Sequence, residues 1–310
     1  MPLNVVSFPK TIDVKYNSYY IAGTTKSCIY LANSIDPSRM LVINSLLTDT
    51  QHIRFRFNSD QKLVIPKVTV DSPYFYITDG GRPGIFKGNL NDLIPHEYKY
   101  DSGYFTDGVV IDSGAFAIRT LSNKTHEYLL GKETNDSPHL QLVNNLLQRQ
   151  IDGIFCTDGM LHYDKKLAKL VYLYFYRNEF MCIDTNFNLL YRSRTIDTIK
   201  YAHIKIARLS DNSLTMAEPP LVVNKKSCVS GDWLFVNSSL ISDNEDKNIF
   251  NRSSVIDVYD LRNGAYKLSF YLQDPGKEKI RSFMVFNTTL LVLKEHYLFT
   301  YSINPRYFVE

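Results

Sequence analysis

The triplet Thr-Asp-Gly occurs at Thr78, Thr106 and Thr157, and recurring carboxylates around one axis are a way to hold a hard cation such as calcium. Asp79, Asp107 and Asp158 are therefore candidate ligand-binding residues. His203 could join them in a metal-assisted hydrolase or lactonase-like site. A second reading competes at each position, because Asp before Gly is what a tight turn asks for. The other histidines add little, since no two of the seven fall within five residues of each other and HExxH-type ligand spacing is absent. No Gly-x-Ser-x-Gly elbow, GxGxxG or GxxxxGK[ST] loop occurs. No catalytic residue is assigned.

Two further segments carry groups that could meet a ligand or partner. Tyr172 to Phe180 packs five aromatic residues into nine positions and turns on Arg177-Asn178, which makes Arg177 a candidate binding residue; the competing reading is a strand buried on both faces. Met216 to Pro220 breaks the surrounding pattern, and its Pro219-Pro220 pair fixes an extended segment that could bridge units or display a binding edge. The insertion between Ser242 and Arg252 sets Asp243, Glu245 and Asp246 beside Lys247. Long loops on a rigid scaffold commonly carry recognition, so these acids and the proline pair are candidate partner-binding residues.

Composition narrows the class. Lys and Arg number 35 against 32 Asp and Glu, with a net charge of +3 and no basic run of the kind that neutralises phosphates, so nucleic acid is not an expected partner. No stretch approaches the length of a membrane-spanning helix, and no charged and apolar leader opens the chain. Cys28, Cys156, Cys182 and Cys228 contain no CxxC pair and read as buried thiols, with a Cys156–Cys182 disulfide as the other pairing. The 22 Tyr and 18 Phe against one Trp favour pleated, half-buried surfaces.

The elements that must position these residues are strands. Almost every apolar run is four to eight residues long and bounded by Gly, Asn, Asp, Ser or Pro. Tyr19–Gly23, Cys28–Asn33, Met40–Asn44 and Ile53–Phe57 make four strands in succession, which is one blade of a β-propeller. The pattern repeats through Val68–Thr78, Ala115–Leu121, Gly153–Arg192 and Cys228–Tyr271. Ser282–Ile303 supplies only three strands of the last unit, while Val5–Val14 is a strand with no blade of its own. Pairing the two closes the ring and removes an exposed edge. The expectation is an all-β chain, residues 1–310 forming one domain, a six-bladed propeller closed by its N-terminal strand. Seven blades is the next count, because Lys200–Val223 holds unplaced strand-like residues. Helix is expected at Ser137–Gln150, where Leu140, Val143, Leu146 and Leu147 stand at helical spacing, and in a short piece at Asn89–Ile94.

The succession of loosely similar units, the Asp-Gly turns and the closing strand resemble six-bladed propellers of the TolB-like and NHL-like kind. Within that group, Tyr176-Arg177-Asn178 through Asp184, Thr195-Ile196-Asp197-Thr198, Pro219-Pro220 and Ile256-Asp257-Val258-Tyr259-Asp260 are similar to bacterial envelope propellers of unassigned role. The resemblance implies a scaffold with a binding surface, placed in the cell envelope or periplasm and docked to a protein partner such as a membrane component. It implies no reaction and no cofactor, calcium in the central channel being the exception that the hydrolase reading would require.

Overall fold

The computed structural model describes residues 4–57, 63–99, 103–241, 245–274 and 278–308. The apolar runs fold as strands, in chain order β1 (Lys10–Asp13), β2 (Tyr19–Thr24), β3 (Cys28–Asn33), β4 (Arg39–Asn44), β5 (Thr50–Arg54), β6 (Pro66–Asp71), β7 (Tyr74–Asp79), β8 (Gly84–Asn89), β9 (His96–Lys99), β10 (Phe105–Val110), β11 (Ala115–Leu121), β12 (Tyr128–Thr134) and β13 (Leu140–Val143). They continue as β14 (Gly159–Asp164), β15 (Lys169–Tyr174), β16 (Glu179–Asp184), β17 (Leu189–Arg194), β18 (Ile206–Arg208), β19 (Leu214–Met216), β20 (Asn224–Ser230), β21 (Trp233–Ser238), β22 (Ser253–Asp260), β23 (Tyr266–Gln273), β24 (Ser282–Phe286), β25 (Thr289–Lys294) and β26 (Tyr297–Ser302). A short α-helix, α1 (Lys247–Asn251), sits in the loop before β22, and a 3-10 turn, Pro305–Phe308, follows β26.

Consecutive strands form the four-stranded sheets β2–β5, β6–β9, β10–β13, β14–β17 and β20–β23. The sixth sheet has the order β1-β26-β25-β24, so the N-terminal strand completes it. Lys10 pairs with Thr300 and Asp13 with Tyr297, and an isolated bridge from Val6 to Ile303 extends the contact. The strand-like residues of 200–223 make a two-stranded hairpin, β18–β19, outside the six sheets rather than a seventh unit.

Two compact units divide the chain: Asp107–Lys277 in one, and Leu3–Thr106 with Glu278–Glu310 in the other. Within each, neighbouring sheets bury their facing sides. The continuous apolar run of β15 is the clearest case: Leu170, Tyr172 and Tyr174 pack against Ala117, Leu130 and Leu161. Val171 and Leu173 point the other way, against Leu234, Val236 and Leu261. Successive side chains alternate faces, so a strand covered on both sides needs apolar residues throughout. In the second unit Leu31 and Ile43 meet Leu291, Leu293 and Leu298, while Ala32 and Met40 meet Val68, Phe75 and Ile77.

Several expectations are corrected. Ser137–Gln150 holds no helix: Leu140–Val143 is the edge strand β13, paired with β12, and in Asn89–Ile94 the first residue ends β8 and a turn follows at 90–92. Gly153–Thr157 is a turn because the buried Asp152 carboxylate accepts from the backbone N–H groups of Ile154, Phe155 and Cys156. The four cysteines are free thiols, as the main reading expected and not the Cys156–Cys182 disulfide, although Cys28 is only half-buried; the Cys156 thiol donates to Asp152 O and the Cys182 thiol to the Tyr191 hydroxyl. The three Thr-Asp-Gly triplets are not equivalent, since Asp79 ends the second strand of its sheet whereas Asp107 and Asp158 stand at the start of first strands.

Gly264, between β22 and β23, adopts φ +78°, and a Cβ there would lie 2.7 Å from the Ser193 Cβ and 2.8 Å from the Tyr191 ring. Its carbonyl also accepts from Ser193 Oγ at 2.7 Å, so the hairpin turn rests directly on β17. Gly264→Ala is expected to destabilise the protein by about 2 kcal/mol through backbone strain and this clash. The shift of a urea unfolding midpoint measures it; a midpoint unchanged from wild type would show that the turn moves away freely.

Candidate functional site

In an antiparallel four-stranded sheet the starts of the first and third strands and the ends of the second and fourth share one end. In the Asp107–Lys277 unit that end carries Asp107, the connection 144–158, the turn 175–178, the connection 195–223 and the loop 239–252. Hydrogen bonds tie these segments into one surface. Asn178 N donates to Ile199 O at 2.8 Å, Val223 N to Phe175 O at 2.8 Å and Ser239 N to Val223 O at 2.9 Å. Gln150 clamps the base of the 195–223 connection, donating to Lys200 O at 3.0 Å and accepting from Ala202 N at 2.9 Å.

Asp107 and Asp158 are brought to a common cation, Arg119 of β11. The Arg119 guanidinium donates to the Asp158 carboxylate, to Gly159 O at 2.9 Å and to the Tyr172 hydroxyl at 3.1 Å, and it lies over the Tyr128 ring at 4.7 Å. Tyr172 passes its own proton to Thr157 O at 2.7 Å. Asp107 accepts from Gly108 N at 3.0 Å and Leu161 N at 3.2 Å. Burial opposes the Arg119 charge, but Tyr172, Asp158 and Asp107 together hold its pKa above the ordinary arginine value. Desolvation likewise pushes Tyr172 upward, so both groups keep their protons at any physiological pH.

The remaining expected residues separate. Asp79 belongs to the other unit and is buried, its carboxylate accepting from Val64 N, Ile65 N, Gly81 N and Arg82 N at 2.6–3.3 Å; it orders a turn. Arg177, expected to present its head at a loop, is instead 1% exposed. Its guanidinium lies 3.5 Å from the Tyr174 ring centroid, donates to Gln148 O and Cys156 O at 3.0 and 3.2 Å and pairs with Glu179 at 3.4 Å. A buried cation must find such partners, and these fasten the 144–158 connection to β16. Among the described residues no three His, Cys, Asp or Glu side chains group to hold a metal ion, so the calcium-dependent reading has no ligand set among them.

His203 does lie on the surface. In the strand-like run 201–205 the exposures alternate: Tyr201, His203 and Lys205 face outward, and Ala202 and Ile204 pack inward with Cys156. Pro219 is exposed and Pro220 half-buried at the far end of the hairpin. Asp243 lies outside the described residues. Glu245 accepts from the Tyr271 hydroxyl, and Asp246 caps α1, accepting from Asn248 N at 2.7 Å and Ile249 N at 3.0 Å, which is the usual work of an Asp before a helix.

No protein-family model matches the chain, and no curated protein matches it by sequence. Solved structures do match it in fold. A member of the DUF4221 family from Bacteroides vulgatus superposes with a TM-score of 0.61 at 10% identity, over 97% of each chain. A catalytically inactive virginiamycin B lyase from Staphylococcus aureus with quinupristin gives 0.54 at 9% identity, covering 96% of this chain and 99% of that one. YCF48 bound to D1 peptide gives 0.53 at 8% identity, covering 98% and 99%. The chain is a six-bladed β-propeller. At such identities the likeness is one of fold alone, and fold does not carry function.

This end of the unit contains groups that sequence reasoning passed over. Arg119 is one: the single charged residue of β11, buried and with its partner Asp158 39 positions away, has a charge at a core-facing position as its only signal. The hairpin β18–β19 and the exposed Tyr201, at 71%, are another. Their signal was the alternation through 201–205.

Proposed function

We propose that this propeller is a non-catalytic binding module, its six blades acting as one domain, which docks a protein or peptide partner on the loop end of the Asp107–Lys277 unit. The observation that carries the reading is the 195–223 connection. It builds a hairpin outside the blades and presents Tyr201 and Leu209, 71% and 50% exposed, beside His203 and Lys205 on a backbone pinned by Gln150 and Asn178. An exposed tyrosine on a rigid base is the kind of anchor that interface hot spots are built around. The charged side chains beneath this end of the unit are already paired, Arg119 with Asp158 and Arg177 with Glu179, which supports binding over catalysis. YCF48 bound to D1 peptide adds support in that the same fold is found holding a peptide. The resemblance to envelope propellers makes a membrane-associated protein the partner to seek first.

The test is capture from gently solubilised membranes of the native host by the tagged full chain and by a Tyr201→Ala/Leu209→Ser variant. The wild type is expected to retain a reproducible partner that the variant retains about tenfold less, since two hot-spot contacts of roughly 1 kcal/mol each suffice. Equal retention, or no retained partner, would overturn the reading. Both side chains are exposed, so circular dichroism of the variant should match wild type.

A further inference from the structure

The second unit contains a cavity of about 390 Å³ at the opposite sheet ends, between the first blade and the blade that β1 completes. It is walled by the β2–β3 turn, the β24–β25 turn, the end of β26 and the residues leading into β1. Its chemistry is distinctive. Lys10 and Lys26 line it with no carboxylate among the lining residues, and hydroxyls come from both walls, including Thr24, Thr288 and Thr300, above an apolar floor of Ile29 and Leu291. Neither lysine makes an ion pair among the described residues. Thr24 Oγ1 is buried yet has no hydrogen-bond partner, and buried polar atoms left unpaired are uncommon and call for an explanation. A volume in the range of small-molecule sites, two unneutralised cations, many hydroxyls and an unpaired buried hydroxyl together describe a site for one kind of ligand.

We propose that this cavity binds a small polyhydroxylated anion, a sugar acid or sugar phosphate. Lys10 and Lys26 supply the countercharge as point donors. The threonine hydroxyls, which can donate or accept, match the ligand's own hydroxyls, and Thr24 Oγ1 gains the partner it lacks. The site is independent of the partner surface on the other unit.

Isothermal titration calorimetry of the full chain with D-glucuronate, D-glucose 6-phosphate, D-glucose and inorganic phosphate tests the proposal. At least one charged sugar is expected to bind saturably and at least about tenfold tighter than glucose or phosphate alone; which of the two is tighter distinguishes a carboxylate from a phosphate ligand. Lys10→Ala/Lys26→Ala should weaken that binding about tenfold or more, and raising salt from about 50 to about 300 mM should weaken it in the wild type. Thr24→Val keeps the side-chain shape, so it should leave the unliganded melting temperature unlowered while reducing affinity several-fold. No saturable binding by either charged sugar, equal binding of glucose or phosphate, or an affinity unchanged in the lysine variant would overturn the assignment.

Discussion

Arg177→Ala should lower the stability of the propeller by about 3–5 kcal/mol, the cost of removing one partner from a buried charged network. The guanidinium holds Gln148 O, Cys156 O and Glu179 and covers the Tyr174 ring. Its loss leaves two carbonyls of the 144–158 connection without that donor, opens a void beneath Tyr174, and leaves Glu179 to Arg192 alone at 3.0 Å. Arg177 Nε already lacks a hydrogen-bond partner, which sets the expectation toward the lower end. Thermal unfolding should move down by roughly 10 °C, with protease cleavage appearing first between residues 144 and 158. Arg177→Lys keeps the charge but not the planar fork and should fall between. A loss under about 1 kcal/mol in Arg177→Ala would show that water replaces the guanidinium, and the network would then be ornamental to stability.

Asp257→Asn should act in the opposite direction, and only away from acid. Asp257 is 2% exposed on β22. Burial pushes its pKa from 3.8 up to about 7, against a lowering hydrogen bond from Ser269, while Glu245 and Asp197 push the same way as burial. With the folded pKa above the unfolded one, the native state binds the extra proton between about pH 4 and pH 7, so stability falls as pH rises through that window. The cost is absent below the unfolded pKa and fully present above about pH 7, where a shift of some three units corresponds to roughly 4 kcal/mol as an upper figure. Asparagine can still accept from Ser269 Oγ without a charge. The variant should therefore be more stable than wild type by about 2–4 kcal/mol at pH 8, with the difference closing by pH 4. Urea midpoints at pH 4, 5, 6, 7 and 8 measure this, and a difference that stays flat across the series would mean Asp257 titrates normally.

The strand framework was legible because each apolar run is short and punctuated. Cys28–Asn33, Ala115–Leu121 and Ser282–Phe286 coincide with β3, β11 and β24, and the turns behave as their residues require: Gly231 and Asp232 before β21, and Asn287 before β25, all have positive φ. The missed element, β13, shows the limit. Val143, Leu146 and Leu147 do face the core, so the reading of an apolar face was sound, but a four-residue edge strand followed by a turn places them there as well as a helix would. Pairing with β12 decided it, and pairing is not written in a local window. The site was harder for a related reason. Asp107 and Asp158 could be flagged from their triplets, whereas Arg119 owes its role to a contact 39 residues distant. Arg177 and an exposed turn arginine look alike in sequence, since the difference is made by the carbonyls of a segment some thirty residues earlier.

The closing blade also imposes an order on synthesis. β1 is translated nearly three hundred residues before β26, yet Lys10 meets Thr300 and Asp13 meets Tyr297. At roughly 5–20 residues per second, β1 waits on the order of 15–60 s for β26 to leave the ribosome. Its sequence, Lys-Thr-Ile-Asp, with two charges in four positions and no fully buried side chain even in the finished sheet, suits a strand that must stay in water without recruiting a neighbour. The last blade is thus the last to become resistant to unfolding in the cell, and a nascent chain released before β26 would leave β1 unpaired and the first blade exposed on the side where the closing sheet should pack.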